Sequence, residues 1–442
     1  MGEGILDERA TFLERPQFGA LYMAILFIVL LIFGHGTMKR NSPVDRTSII
    51  TTVKDPLKGA HDRLHHIIAA LSQLSRIRIL STNAWWLSQT GESIYQSGLE
   101  SIRQFQTRLD VKYFTNRNAS PILQELIGSI IAMTSRLEPN LCMHLNYHST
   151  FPGWALSRRF RRRDIPNLMD IADDLPNFYK KSSTLHWSIQ PIAYEISRLM
   201  LLDAIKVSDH VTCTSELLAD CYSVPKKKRT IIPNGVDASQ FYPMEVGAER
   251  KRLGLNDRFV IGFIGTLREW VDLEMLVEAL IEVDKQHKAT VLIVGGGSHD
   301  PSIGKMVENA GIDFRMIGEV PYSKVPDWIN LLDVGVVPFK INEMTDNSLP
   351  MKIFEYMACG KPVISTPLKS VRQPLGTSLL YSRNPLELSS NIVDLIENRD
   401  QYMGLSRGGL ELVRTVYNWK NIEDQFKSIF ENLSNRSDEI IA

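Results

Sequence analysis

From residue 47 onward, short apolar runs alternate with longer amphipathic stretches. SIITTV (Ser48–Val53), RIRIL (Arg76–Leu80), DVKYF (Asp110–Phe114) and LCMHLNY (Leu141–Tyr147) have strand character. NLMDIA (Asn167–Ala172), HVTCT (His210–Thr214) and TIIP (Thr230–Pro233) continue the series. Between them, HDRLHHIIAALSQL sets Leu64, Ile67, Ile68, Leu71 and Leu74 on one helical face, and PILQELIGSIIAMTSRL reads as a long amphipathic helix. The alternation restarts at FVIGFIG (Phe259–Gly265) and runs through TVLIVG (Thr290–Gly295), RMIG, VGVVP and KPVIST. DLEMLVEALIEV, with Leu273, Leu276, Val277 and Leu280 on one face, is the first helix of that second series. A last helix is predicted from about Lys420 to Leu433. Such alternation predicts parallel sheets covered on both faces. PNGVDASQFYP (Pro233–Pro243) separates the two series and is rich in turn formers. The expected architecture is α/β: two doubly wound parallel-sheet domains, residues 47–232 and 246–418, a linker at 233–245, and a final helical segment at 419–442. Ligands in such sheets bind beyond the carboxyl ends of the strands, so two facing domains leave a cleft between them.

One run breaks the pattern. Phe18 to Phe33 is uncharged and apolar, within a tail of residues 1–46. Its length sits at the lower limit of about 17 residues for a membrane span. Glu3, Asp7, Glu8 and Glu14 precede it, whereas Lys39, Arg40 and Arg46 follow it. That asymmetry predicts a single-pass anchor at 18–34 with everything after it on the cytoplasmic side. A cleavable leader and a true start at Met38 are the alternatives; the leading region is not basic and no A-x-A site follows.

Composition removes several classes. Fifty Lys+Arg balance fifty Asp+Glu, which opposes a nucleic-acid binder. Four cysteines, Cys142, Cys213, Cys221 and Cys359, form no metal-type pair and read as small buried apolar groups. No strand runs into G-x-G-x-x-G with a downstream acidic residue, so a dehydrogenase is disfavoured. SRRFRRRD (Ser157–Asp164) and Lys226–Arg229 are basic clusters that read as solvated faces, with contact to anionic membrane as the alternative for the arginine cluster.

Candidate chemistry concentrates in DNSLPMKIFEYMACGKPVIST (Asp346–Thr366). Pro350 stands where a helix begins, with Ser348 as its expected cap. A helix start attracts phosphate, Lys352 adds a point charge, and Glu355, three residues on, can accept hydrogen bonds from a ribose. The plainer reading is a surface Lys–Glu pair. His148, Asp173 and Asp174 follow first-series strands and are candidate catalytic groups, with polar loop or cap residues as the alternative. Lys54 and Arg63 bound the loop that follows the first strand, on the expected acceptor side, with a simple helix-surface residue as the alternative for Arg63.

Several stretches together resemble glycosyltransferase family 4, of the GT-B fold. They are IIPNGVDASQFYP, FVIGFIGTLREWVDLEMLVEAL, TVLIVGGGS, FEYMACGKPVIST and YNWKNIEDQF, in that order. MDIADDLPNF (Met169–Phe178) and the turn Gly265–Trp270 resemble a subgroup acting in cell-surface polysaccharide synthesis. The resemblance implies a retaining, metal-independent transfer of sugar from a nucleoside-diphosphate sugar to a lipid-linked or glycan acceptor at a membrane. It implies no cofactor beyond that co-substrate and no nucleic-acid partner. Donor-binding residues implied are Gly265, Thr266, Arg268, Gly296, Asn347, Ser348, Lys352 and Glu355, and the final helix is implied to pack back on the first domain. The chain departs from the family pattern at three places. Thr266 and Val271 stand where basic residues usually hold the diphosphate, and Asn347 stands at the first of two glutamates. A membrane-tethered non-catalytic protein and a sugar-nucleotide epimerase therefore stay open as alternatives.

Overall fold

The computed structural model describes residues 46–52, 62–81, 109–113, 128–130, 141–147, 151–180, 187–297 and 302–441. The first sheet has seven parallel strands: β1 (Thr47–Thr52), β2 (Arg76–Ser81), β3 (Leu109–Tyr113), β4 (Leu141–Tyr147), β5 (Asn167–Ile171), β6 (His210–Cys213) and β7 (Arg229–Ile231). Their spatial order is β3-β2-β1-β4-β5-β6-β7. The second sheet has six: β8 (Phe259–Ile264), β9 (Ala289–Val294), β10 (Phe314–Gly318), β11 (Val334–Val337), β12 (Val363–Ser365) and β13 (Leu380–Tyr381), in the order β10-β9-β8-β11-β12-β13. In both sheets the winding reverses beside the first strand, between β1 and β4 and between β8 and β11. Strands β1, β4, β5 and β9 are buried along their whole length. Their near-continuous apolar sequences follow from having both faces covered.

Nine helices matter below: α1 (Arg63–Ser72), α2 (Phe151–Arg161), α3 (Leu175–Lys180), α4 (Gln190–Val207), α5 (Glu216–Cys221), α6 (Leu273–Asp284), α7 (Met351–Ala358), α8 (Lys369–Leu375) and α9 (Trp419–Ile441). Asp62 caps α1 through a capping box with His65, and Asp272 caps α6 through the Met275 amide. Helix α9 packs on the first domain. Trp419, Ile422, Phe426, Phe430 and Leu433 share a core with Ile50, Leu64, Ile67, Ile68 and Leu145. This second face covering α1 explains why α1 is buried almost all round.

The chain passes between the domains twice, and the two crossings lie side by side. Val236 N–H donates to the Tyr417 carbonyl at 2.8 Å, and Trp419 N–H donates to the Val236 carbonyl at 3.2 Å. Among the described residues no helix is long and apolar enough to cross a membrane, and the expected anchor at 18–34 lies outside them. Cys142, Cys213 and Cys359 are buried as expected, but Cys221 is exposed because it ends the short surface helix α5.

Candidate functional site

The site is built at the winding reversal of the second sheet. Beyond β8 the chain turns at Gly265, and beyond β9 it turns through Gly295–Gly297. The two turns lie against each other: Gly265 N–H donates to the Val294 carbonyl, and Leu267 N–H to the Gly296 carbonyl, both at 2.8 Å. Gly295 has φ of 145°, and a Cβ there would sit 2.1 Å from the Gly265 carbonyl oxygen. Only glycine meets both conditions. Gly265 is constrained by its φ of 140°; a Cβ there would lie 2.8 Å from Lys352 Nζ, the movable end of a long side chain.

Lys352, in the first turn of α7, reaches under this double turn. Its ammonium lies 4.4 Å from the Phe263 ring centre and 5.1 Å from that of Phe339. These two ring faces at the ends of β8 and β11 offer cation–π attraction but no counter-charge. Burial draws the Lys352 pKa down to about 8, with Glu355 opposing. Glu355 is only 8% exposed, so the pair is not a surface one. Its Oε1 accepts a hydrogen bond from Tyr322 Oη at 3.0 Å. Burial raises the Glu355 pKa, while Tyr322 and Lys352 pull it back. The next residue, Tyr356, accepts the Ile264 N–H at 2.8 Å and so ties α7 to the end of β8.

Ser348 does not cap α7. The cap position is Pro350, which offers no side-chain hydrogen bond, because Ser348 belongs to the preceding turn where its N–H donates to the Thr345 carbonyl. The first amides of α7 thus have no side-chain cap, beside the Lys352 ammonium, and form an anion-favouring corner. Thr266 and Arg268 are exposed on the loop after β8. Val271 is buried and pairs in a bridge with Phe339, so that position is packing rather than charge.

Asn347 lies at the domain boundary. Its Nδ2 donates to Asp174 Oδ2 at 2.5 Å. Asp174, just before α3, also accepts the Tyr222 hydroxyl, the Asn177 side-chain amide at 2.9 Å and the Asn177 N–H at 3.3 Å. The expected catalytic carboxylate is therefore engaged by four donors, one from across the cleft. Its neighbour Asp173 is exposed. Further contacts across the boundary are Lys180 to Glu343 at 2.9 Å, Ser215 to Ser370 at 3.1 Å and Asn234 to the Leu349 carbonyl at 3.2 Å.

Arg63, expected to border an acceptor, is buried in a bidentate pair with Asp170 at 2.8 and 2.9 Å. It also donates to the carbonyls of Ile232 and Pro233 and lies over the Phe426 ring. These contacts join α1, β5, the linker and α9. Lys54 and His148 lie outside the described residues. His144, inside β4, is held between Asn167 Oδ1 at 2.7 Å and Thr51 Oγ1 at 3.0 Å, and burial lowers its pKa to about 4. Lys352, Glu355 and the glycine turns are thus brought together, while Asn347 is drawn toward the first domain. Sequence reasoning missed Tyr322 and Tyr356. Neither carries a local signal; each matters through a partner more than 30 residues or a whole strand away.

Lys352 and Glu355 stand on α7 at the winding reversal of one of two doubly wound domains, the place where such sheets bind ligands, on a GT-B type of architecture. Residues 258–398 match the family described as Glycosyl transferases group 1. The chain is similar to TuaH of Bacillus subtilis, named for teichuronic acid biosynthesis (29% identity over 177 residues, 38% of this chain and 43% of the relative). It is also similar to the D-inositol 3-phosphate glycosyltransferase of Thermobispora bispora (26% over 221 residues, 46% and 50%). The chain spans about half the length of these curated relatives. Its fold is that of Anabaena HepE, solved in complex with UDP (TM-score 0.65, 13% identity, 88% of this chain and 100% of that one).

Proposed function

We propose that the protein is a retaining glycosyltransferase of family 4 type, moving a sugar from a nucleoside-diphosphate donor to a lipid-linked or growing glycan acceptor at the cytoplasmic face of a membrane. The observation that carries the reading is the placement of Lys352, on α7, against the Gly265 turn, with Glu355 one helical turn further along, inside the stretch that matches the family. The names of the relatives and the UDP bound to HepE support it.

In this reading the donor diphosphate rests at the start of α7 against Lys352, with exposed Arg268 closing over it. Glu355, oriented by Tyr322, accepts the ribose hydroxyls. The bond from the sugar anomeric carbon to the diphosphate oxygen breaks as charge builds on that oxygen. Lys352 and the α7 amides stabilise the charge, being fixed before the reaction begins. The acceptor oxygen bonds to the anomeric carbon from the same face, and its proton passes to the departing phosphate. His148 and Asp173 are the candidates to hold the acceptor. Neither a cofactor nor a metal enters the scheme, so turnover should persist in EDTA.

The test is a panel of UDP-, GDP- and ADP-sugars read by thermal shift and by release of nucleoside diphosphate. A donor at 100 times its dissociation constant should add about 2.7 kcal/mol of stability. Glu355→Ala should abolish both signals. Folded protein that binds and turns over no donor sinks the proposal. Binding without turnover favours the non-catalytic reading, which the engaged Asp174–Asn347 pair and the packing role of Val271 motivate.

A further inference from the structure

The linker stretch Pro233–Val236 is fastened from several sides. Just before it, the Ile232 N–H donates to the Cys213 carbonyl of β6 at 2.9 Å. The Pro233 carbonyl accepts Arg63 at 3.0 Å, and the Val236 N–H donates to the Tyr417 carbonyl at 2.8 Å. A Cβ on Gly235 would sit 3.0 Å from the Tyr417 carbonyl oxygen, so the backbone lies close on the second crossing. Asn234 stands among these fixings, and its side chain therefore leaves from a held backbone.

That side chain reaches into the second domain. Its Nδ2 donates to the Leu349 carbonyl at 3.2 Å. Leu349 directly precedes Pro350, the cap residue of α7. Met351, the first residue of α7, packs on the core that Trp419 and Ile422 share with the first domain. The lead-in of α7 is thus gripped from outside its own domain at 349 and 351. The rest of the helix is tied within its own domain, by Tyr356 Oη to the Ile264 N–H and by Glu355 to Tyr322. Lys352 stands where the two sets of contacts meet.

The other end of the Asn234 amide is unfavourably placed. Its Oδ1 is buried and accepts no hydrogen bond among the described residues. A buried acceptor left unpaired destabilises the fold. Turning the amide over would set that oxygen against the Leu349 carbonyl oxygen, so its orientation is fixed. A side chain that makes one bond while carrying such a penalty is characteristic of a functional site rather than of a core.

We infer that Asn234 is a positioning residue of the donor site, fixing the lead-in of α7 so that its first amides and Lys352 meet a diphosphate together. The inference takes its ligand from the donor reading above. The bond starts from the linker itself and is independent of the Asn347–Asp174 contact. Because Glu355 is held by the second domain alone, Asn234 acts on the phosphate end of the donor and not on the ribose.

Asn234→Ala is compared with the parent in two measurements. Without ligand, amide hydrogen exchange at Met351 and Lys352 should quicken several-fold. The thermal midpoint should stay at or above the parent's, because the unpaired oxygen has gone. With ligand, calorimetry should show UDP or GDP, whichever the parent binds, weakened roughly tenfold, the scale of one hydrogen bond. The matching nucleoside, uridine or guanosine, should bind as before. Asn234→Asp keeps the shape but brings a carboxylate to the same corner. It should weaken the diphosphate further, and the excess should shrink at high salt. Unchanged exchange at 351 and 352 overturns the inference. Equal weakening of nucleoside and diphosphate, or a lowered midpoint, overturns it in favour of a general structural prop. Quickened exchange in a protein whose parent binds no nucleotide would uphold the grip on α7 and count against the donor reading alone.

Discussion

Lys352 holds its proton less firmly than a free lysine. Its pKa of about 8 comes from burial under the glycine turns against two ring faces, with Glu355 opposing the fall. An unfolded lysine titrates near 10.4. Between those values the unfolded chain binds more protons, so without donor the lysine's contribution to stability improves as pH rises from 8 to 10.4. A diphosphate reverses the preference by favouring the charged form. Binding at pH 8.5 should therefore take up a proton, visible in calorimetry as a heat that varies with the buffer's ionisation enthalpy. Lys352→Met should weaken nucleoside-diphosphate binding roughly 10- to 150-fold, the value of a hydrogen bond to a charged group, and remove the proton uptake. Lys352→Arg should bind without uptake. Uptake unchanged in Lys352→Met would show that another group carries the proton.

Helix α9 belongs in sequence to the second domain's end and in space to the first domain's core. Phe426 is fully buried between the Arg63 guanidinium and Phe430, next to the β1 and α1 core. Phe426→Ala should cost about 3–5 kcal/mol in denaturant-induced unfolding, as large aromatic deletions do. The loss should register in the first domain's transition. A cost below about 1 kcal/mol, the level of an exposed site, would mean that α9 is loosely held. The strands were legible because buried parallel strands are continuous apolar runs; β1, β4, β5 and β9 lie within a residue of their sequence expectations. Strand β13 was not, since two residues carry no period. Helix α9 runs on to Ile441, past the expected Leu433, where polar positions on a covering helix need no apolar partner. The motif around Lys352 and Glu355 was legible because the helix start, the charge and the carboxylate are local. The false cap at Ser348, the burial of Arg63 and the role of Tyr322 depend on contacts between distant segments, which no local pattern encodes.

At the scale of the molecule, we expect the paired crossings to act as a hinge and the Asp174–Asn347 bond as a latch. Val236 and Asn418 form an isolated bridge outside either sheet, so both links between the domains pass one point. Asn347 of the second domain also reaches Asp174 of the first. The amide is needed for this bond, because Asp174 already carries the Tyr222 and Asn177 donors as a buried carboxylate. A glutamate at 347, as the family resemblance implies for that position, would set two carboxylates against each other. Asn347→Asp is the smallest change that does so. It replaces a charge-assisted hydrogen bond of about 1.5–3 kcal/mol with repulsion, which shifts the open-to-closed ratio at least tenfold. Small-angle scattering without ligand should give a larger radius of gyration for the variant than for the parent. Nucleotide affinity should change little, because Lys352, Glu355 and the glycine turns all lie in the second domain. Turnover should fall, because the first domain must close to present the acceptor. Lys180→Ala removes only an exposed pair across the same boundary and should leave the scattering unchanged. If Asn347→Asp matches the parent in radius and turnover, the hydrogen bond does not hold the domains. The closed state would then rest on the linker and the Ser215–Ser370 contact instead.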